Sequence, residues 1–377
     1  AALPFCDWVT RDAFAAMDVA GYNYGIKRYV HDLKKYPDRL ILGSETFCND
    51  AYRFRELAKR EPRLIGDFVW AGMDYLGETG IGSWDYIGET GVGAWEYEDY
   101  ATLNIEYGWL TAGSGRVDLT GRALGEAYYT RVALEEASGP WLAVCPVNHT
   151  GDKHSPSAWK MSNAIDSWSW NGCEGRKANV EVYARAASVS LVLNGREIGR
   201  KAMRNDCIAC FSCTYEPGTL EAVAYDESGR EIGRNQLVSA SAETRLNASV
   251  EYTGRELAYV RVRYTDGHGV TKPLERGTLR ATLIGPDGKG GGAGGDTDEA
   301  VGGAELLGFG CAEPCNKGSF VTGETGTYYG EALAVVRMPQ SQEGTAVLHM
   351  SDGRLSAQVS VEPIGIVNRA DSTRWEG

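Results

Sequence analysis

Two side chains that could do chemistry follow short apolar segments of the sequence. Glu45 comes soon after the apolar segment 40–43, and Trp70 ends a similar segment, 64–70. Both segments are typical of short strands that are buried on both faces. A carboxylate at the end of such a strand can take part in catalysis as a nucleophile or a base, although a Glu there can equally be a solvated loop residue or a helix N-terminal partner.

The elements around these residues predict that the two side chains meet. Residues 50–60, between the two strands, have a helical pattern, and a strand–helix–strand unit implies a parallel pair with a right-handed crossover. In parallel sheets and barrels the functional residues lie at the C-terminal ends of the strands. We therefore expect Glu45 and Trp70 to project into one shared site.

The sequence around these residues resembles a known enzyme family. Asp-Arg-Leu-Ile-Leu-Gly-Ser-Glu-Thr at 38–46 and Ile-Gly-Asp-Phe-Val-Trp-Ala-Gly-Met-Asp-Tyr-Leu-Gly-Glu at 65–78 are similar to the seventh and eighth barrel strands of glycoside hydrolase family 2, the β-galactosidase family. The resemblance implies that Glu45 is the catalytic nucleophile and that Trp70 is a platform for the sugar. It also implies a substrate-binding role for Asp74.

An earlier segment, 17–24, resembles the sixth barrel strand of the same family. The resemblance implies that Tyr24 hydrogen-bonds the nucleophile, which would hold the carboxylate in position and help to keep it ionised. It also assigns Asn23 to substrate binding. The segment 29–36 is the predicted crossover helix, and Pro37 ends it.

These observations predict a multidomain protein. We expect part of a (β/α)8 TIM barrel, its strands 6 to 8, followed by two β-sandwich domains that resemble immunoglobulin-like domains. The sandwiches are indicated by short alternating strands and by the Asn194-Gly195 hairpin turn. The predicted domains are 1–139 for the barrel part, 140–245 and 246–363 for the two sandwiches, and 364–377 for a tail.

The resemblance also points to a feature that this sequence lacks. Retaining glycosidases use two carboxylates about 5 to 5.5 Å apart, one as nucleophile and one as acid/base. In the family the acid/base Glu follows an Asn on the fourth strand, and the 377 residues contain no Asn-Glu pair. The chain begins at Ala1 without Met, so we expect a fragment or processed piece that is inactive alone and gives no indication of its compartment.

Three functions are compatible with the sequence. The leading prediction is a retaining, β-galactosidase-like hydrolase that releases terminal β-linked galactose through a glycosyl-enzyme on Glu45. One alternative is a carbohydrate-binding or adhesion protein with a degenerate barrel piece. The other is a β-glucuronidase of the same family, in which an Asn-x-Lys pair reads the substrate carboxylate. The corresponding segment here, 111–118, has neither residue, and its only cation is Arg116. Galactoside-specific relatives often have a His where this chain has Cys48.

Composition limits the partners. The 51 acidic and 38 basic residues give a net charge of −13, which predicts repulsion from nucleic acid and from anionic membranes. No apolar run approaches the roughly 20 residues of a bilayer span. The 10 Trp and 20 Tyr suit a carbohydrate substrate.

No cofactor and no metal are expected, because the thiols at 207, 210 and 213 fit alternation across a strand better than a metal or cluster site. Homo-oligomer formation is left open.

A tandem repeat follows the second of the two strands. The eleven residues 74–84 are followed by a near-identical copy, 85–95. Such an insertion would lie in a loop at the catalytic face of a barrel, where loops shape the site. Trp84 or Trp95 could therefore line a substrate subsite, with ordinary surface packing as the alternative.

Overall fold

The computed structural model describes residues 13–82, 84, 109–154, 157–203, 206–254, 256–284, 290–291, 304–316, 318–338 and 346–362. The chain divides into two compact units, Ala1–Ser239 and Ala240–Gly377. The predicted domain boundaries at 139/140 and 245/246 stay predictions. Among the described helices, each is too short or too polar to cross a lipid bilayer.

A three-stranded parallel sheet in the first unit contains or directly precedes four of the five predicted site residues. Its strands, in spatial order, are β1 (Val19–Asn23), β2 (Leu40–Thr46) and β3 (Leu64–Val69). The crossovers contain α1 (Tyr29–Lys35), a short 3-10 turn (Cys48–Asp50) and α2 (Ala51–Ala58). Both strand pairs are parallel, so the strand–helix–strand prediction is confirmed. That these strands belong to a TIM barrel stays a prediction, since three strands do not close one.

The sheet and its helices share a small aromatic core. Tyr29 of α1 and Ile41 of β2 are fully buried, and the rings of Tyr22 and Tyr29 meet edge to face with centroids 5.4 Å apart. Asp32, which is buried in α1, accepts a hydrogen bond of 2.9 Å from the Tyr22 hydroxyl. Because a seven-residue helix is not stable by itself, these contacts hold α1 against the sheet.

Most of the described residues after 140 in the first unit belong to antiparallel strands or to the loops between them. After helix α3 (Gly125–Ala133), the strands are β4 (Trp141–Val144), β5 (Lys177–Tyr183), β6 (Ser188–Leu193), β7 (Arg196–Ala202), β8 (Ile208–Thr214), β9 (Thr219–Tyr225) and β10 (Glu231–Val238). They form two sheets, β4-β5-β8 and β10-β9-β6-β7. Asn194 and Gly195 both have positive φ and join β6 to β7, so the predicted hairpin is confirmed. The fully buried Trp168 packs edge-on against Tyr215, in accordance with a β-sandwich core.

The second unit is also built from antiparallel strands. They are β11 (Arg245–Thr253), β12 (Leu257–Thr265), β13 (Leu279–Ile284), β14 (Gly290–Gly291), β15 (Glu305–Gly310), β16 (Glu324–Thr325), β17 (Glu331–Arg337), β18 (Ala346–Ser351) and β19 (Ser356–Val361). One sheet has the order β11-β12-β17-β15 and the other β14-β13-β18-β19, with β16 paired to β13. Apolar side chains of both sheets, such as Val260 and Leu348, form one core. This arrangement is consistent with the second predicted β-sandwich.

Candidate active site

The ends of the three parallel strands are tied together by their backbones. The amide of Tyr24 donates to the carbonyl of Glu45 with an N–O distance of 2.6 Å, and Asn23 pairs with Glu45 in the β1–β2 register. The amide of Trp70 donates to the carbonyl of Thr46 at 2.9 Å. The structure therefore brings the residues predicted at three strand ends to one edge of the sheet.

The Glu45 carboxylate also affects the Tyr24 side chain. Burial raises the pKa of the Tyr24 phenol, the hydrogen bond from Trp159 lowers it, and the nearby Glu45 carboxylate raises it. The phenol is therefore protonated at neutral pH and can donate its proton to the carboxylate. Tyr24 has φ of 54°, a left-handed conformation, at the point where the chain leaves β1.

Asn23 and Ser44 form a polar contact beside Glu45. The Ser44 hydroxyl donates to Oδ1 of the buried Asn23 with a distance of 2.8 Å. Gly21 leaves room for this pair, because a Cβ at that position would lie 3.1 Å from Ser44 Oγ. Asn23 is therefore held in place next to the predicted nucleophile.

Trp70 is held by its neighbours in the following loop. The indole Nε1 of Trp70 donates to the Tyr75 hydroxyl at 3.2 Å, and the two rings meet edge to face. The Tyr75 hydroxyl donates in turn to the carboxylate of Glu78, which is exposed. Trp70 itself is half-buried, and the peptide bond to Ala71 is cis. The ring that the sequence predicts as a sugar platform is thus partly open to solvent.

Asp74 has a structural partner in the segment 111–117. Its Oδ1 accepts a hydrogen bond of 2.9 Å from the Gly113 amide, and its own amide donates to the Val117 carbonyl at 2.8 Å. The side chain is buried. The described contacts of Asp74 are thus with this segment, and its role in substrate binding stays a prediction.

The same segment carries Arg116 to the site. The Arg116 amide donates to the Ala71 carbonyl at 3.0 Å, and its Nε contacts that oxygen at 3.4 Å. Arg116 is half-buried. The one cation in the segment 111–118 therefore contacts the residue that follows Trp70 in the sequence. This placement matters for the distinction between galactoside and glucuronide substrates.

A second carboxyl group in the sheet was not singled out from the sequence. Asp67 on β3 accepts a hydrogen bond from the Thr46 hydroxyl, and burial raises the pKa of Asp67 to about 6. A side chain at Gly43 would collide with the Asp67 carboxylate and crowd the Tyr29 hydroxyl. The small residue near the end of β2 therefore makes room for Asp67.

Two aromatic residues near Tyr24 were also missed. Phe47 stacks on Tyr24 with ring centroids 4.2 Å apart, and Trp159 donates its Nε1–H to the Tyr24 hydroxyl at 2.7 Å. Phe47 is two residues from Glu45, so the strand-end argument could have included it. Trp159 lies 135 residues from Tyr24 in the sequence, and no local pattern indicates their contact.

Two other predictions concern residues outside this cluster. Trp84 stacks on His154 with centroids 3.8 Å apart, and a role for Trp84 in a substrate subsite stays a prediction. Trp95 and the second repeat copy lie outside the described residues. On β8, Cys210 is exposed and Cys213 is half-buried, and within the described part of the chain no group of three or more His, Cys, Asp or Glu is arranged to hold a metal ion.

This chain is similar in sequence to a family of domains and to two larger proteins. Residues 175–233 match a family model described as "Domain of unknown function (DUF4982)". A β-galactosidase of Bacteroides ovatus, BoGH2A, is 25% identical over 239 residues, which are 61% of this chain and 22% of that protein. A putative β-glucuronidase of Formosa agariphila is 24% identical over 203 residues, 53% of this chain and 16% of that protein.

The similarity to a solved structure extends over nearly the whole chain. A glycosyl hydrolase family 2 member from Bacteroides cellulosilyticus has 28% sequence identity and a TM-score of 0.77, and the match covers 94% of this chain and 43% of that one. This chain therefore spans less than half the length of that structure and about a fifth of the length of the curated relatives.

Proposed function

The chain is a homologue of glycoside hydrolase family 2 proteins, as its sequence predicts, and we propose that it forms the nucleophile-bearing part of a retaining glycosidase of that family. In this proposal Glu45 attacks the anomeric carbon of a β-linked sugar and forms a covalent glycosyl-enzyme. A Glu outside these 377 residues protonates the leaving oxygen and then activates the water that releases the sugar.

The observation that carries the proposal is the pairing of Tyr24 with Glu45. A phenol that is protonated at neutral pH can donate to one carboxylate oxygen, which would hold the carboxylate in place and leave its other oxygen free to attack. The backbone hydrogen bond between the two residues fixes their spacing. Trp70, half-buried and braced by Tyr75, supports the proposal as an apolar surface on which a sugar ring can lie.

Removing the carboxylate tests this role. In the full-length gene product, Glu45→Ala is expected to lose hydrolysis of an aryl β-galactoside by about 10³-fold or more while the protein keeps its thermal unfolding midpoint. Added azide should then restore turnover and give the α-galactosyl azide, because a small anion can attack from the face that the carboxylate leaves open. Full activity of Glu45→Ala, or an azide product of β configuration, would contradict the proposal.

We further propose a galactoside as the substrate, with a glucuronide as the second candidate. The galactoside is supported by the similarity to a β-galactosidase and by the lack of both Asn and Lys at 111–118. The glucuronide is favoured by one observation, the half-buried Arg116 beside Ala71, since a guanidinium can pair with a uronate carboxylate.

Comparing kcat/KM on the p-nitrophenyl β-galactoside and β-glucuronide distinguishes the two substrates. We expect the full-length enzyme to prefer the galactoside and Arg116→Ala to leave that preference in place. A preference for the glucuronide that disappears in Arg116→Ala would reverse the assignment. Arg122→Ala, which removes the guanidinium that pairs with Asp166, is the matched control for loss of a nearby Arg.

A further inference from the structure

Trp159, which follows β4 in the sequence, contacts Tyr24, the residue predicted to position the nucleophile Glu45. The Nε1–H of Trp159 donates to the Tyr24 hydroxyl at 2.7 Å, and the two rings meet edge to face at 88° with centroids 5.8 Å apart. Trp159 also meets Phe47 edge to face, with centroids 5.6 Å apart. Tyr24 is therefore enclosed by Phe47 on one ring face and by the indole at its hydroxyl end.

The residues around Trp159 are firmly attached to the rest of the first unit. The Ser157 hydroxyl accepts from the Trp159 amide at 3.1 Å and donates to the Ile81 carbonyl at 2.6 Å. Lys160 forms a buried ion pair of 2.9 Å with Glu126 of α3 and donates to the Gly115 carbonyl at 3.1 Å. These contacts on both sides of Trp159 limit how far the indole can move from Tyr24.

The chemistry of the Trp159–Tyr24 hydrogen bond fixes the direction of the Tyr24 proton. An indole nitrogen is only a donor, whereas a phenol has one proton and two acceptor positions. With the indole N–H on its oxygen, the phenol acts as acceptor toward Trp159, and its own proton is available to the Glu45 carboxylate.

We propose that Trp159 is a positioning residue for the nucleophile, acting through Tyr24. This inference rests on the proposed function of Glu45. The indole holds the phenol in place and orients its O–H toward the carboxylate, so that Glu45 meets the anomeric carbon in one fixed orientation. Trp159 lies in the predicted sandwich domain 140–245, so this domain would contribute a residue that positions Glu45 at the ends of the parallel strands.

The test measures the rate at which a 2-fluoro galactoside with a good leaving group inactivates the full-length enzyme. Trp159→Phe keeps an aromatic ring but removes the N–H, so we expect the maximal inactivation rate to fall roughly two- to tenfold, with little change in the reagent concentration that gives half of it. In a Tyr24→Phe background, where no phenol remains to be oriented, the same change should have no further effect.

Controls separate this role from a general loss of structure. Trp141→Phe changes another half-buried Trp, stacked on Tyr128, and should leave the rate unchanged. Ser157→Ala removes the hydroxyl that accepts from the Trp159 amide but does not alter Tyr24. It should lower the inactivation rate only when Tyr24 is present. This variant tests the role of Trp159 independently if Trp159→Phe folds poorly.

The outcomes distinguish this inference from its premise. A wild-type enzyme that neither the 2-fluoro galactoside nor the corresponding 2-fluoro glucuronide labels would refute the proposed function of Glu45 itself. A labelled wild type with a normal rate in Trp159→Phe and Ser157→Ala, or with equal losses in both Tyr24 backgrounds, would overturn the role of Trp159 alone.

Discussion

Asp67 is a half-buried carboxyl group on the strand next to the one that carries Glu45. It lies on β3, hydrogen-bonded to Thr46, in a space that exists because residue 43 is Gly. Burial raises the pKa of Asp67 to about 6, above the value of about 3.9 for a free Asp. The folded protein therefore binds a proton at Asp67 more tightly than the unfolded chain does.

This shift predicts how stability depends on pH. Since the folded pKa is raised, the contribution of Asp67 is fully present below about pH 4 and is lost as the pH rises through about 6. Asp67→Asn cannot ionise, so its stability relative to wild type should increase by up to about 3 kcal/mol between pH 4 and pH 7. Urea unfolding at several pH values measures the difference.

A difference between Asp67→Asn and wild type that stays constant from pH 4 to pH 7 would contradict this account of Asp67. Asp18→Asn, which removes an exposed carboxylate just before β1, is the control for the change of residue type.

At the scale of single residues, the sequence predicted those site residues whose position depends on the local hydrophobic pattern. Tyr24, Glu45 and Trp70 each end or follow a short apolar segment. In the structure the Tyr24 amide donates to the Glu45 carbonyl, and the Trp70 amide donates to the carbonyl of the adjacent Thr46. Trp159 was missed because its contact with Tyr24 depends on how segments 135 residues apart fold against each other. Asp67 was missed because its burial depends on the space left at Gly43, which no spacing rule describes.

At the scale of elements, helix α3 anchors the segment that carries Trp159. Glu126, fully buried on α3, accepts from the Met161 amide at 2.6 Å and pairs with Lys160 at 2.9 Å. A buried carboxylate needs such partners, because leaving it alone in a low-dielectric interior is costly.

Breaking this ion pair should destabilise the protein strongly. Lys160→Met leaves Glu126 without its cation, and we expect a loss of about 3 to 5 kcal/mol in the free energy of unfolding. Arg196→Met, at the exposed Arg196–Glu216 pair, is the matched control and should cost no more than about 1 kcal/mol. Urea denaturation of both variants gives the comparison, and equal losses would show that the Lys160 pair has no special role.

The elements themselves were largely predictable, because their patterns are local. The two apolar segments correctly predicted β2 and β3, and the helical pattern between them predicted α2. Asn194-Gly195 predicted the turn between β6 and β7. The pairing of 111–117 with the residues after Trp70 was not predicted, since hydrogen bonds such as that from Gly113 to Asp74 join irregular segments without periodicity.

At the scale of the whole molecule, we expect the second catalytic carboxylate to lie outside these 377 residues. We expect the 377 residues alone to hydrolyse no aryl β-galactoside above the level of their own Glu45→Gln variant. General acid/base assistance contributes about 10²- to 10⁴-fold, and the family's Asn-Glu pair is absent from these residues. Turnover by the purified chain that disappears in Glu45→Gln would show that an acid/base lies within it.

The identity of the nucleophile is the central claim, and covalent trapping tests it most directly. A 2-fluoro galactoside slows both chemical steps, so the glycosyl-enzyme accumulates on the residue that attacked the sugar. The full-length protein is labelled, digested with trypsin and analysed by mass spectrometry. The account predicts that the label lies on Glu45, in the tryptic peptide 40–53, and is absent from Glu45→Ala. A label on a different residue, or wild-type labelling of Glu45→Ala, would contradict it.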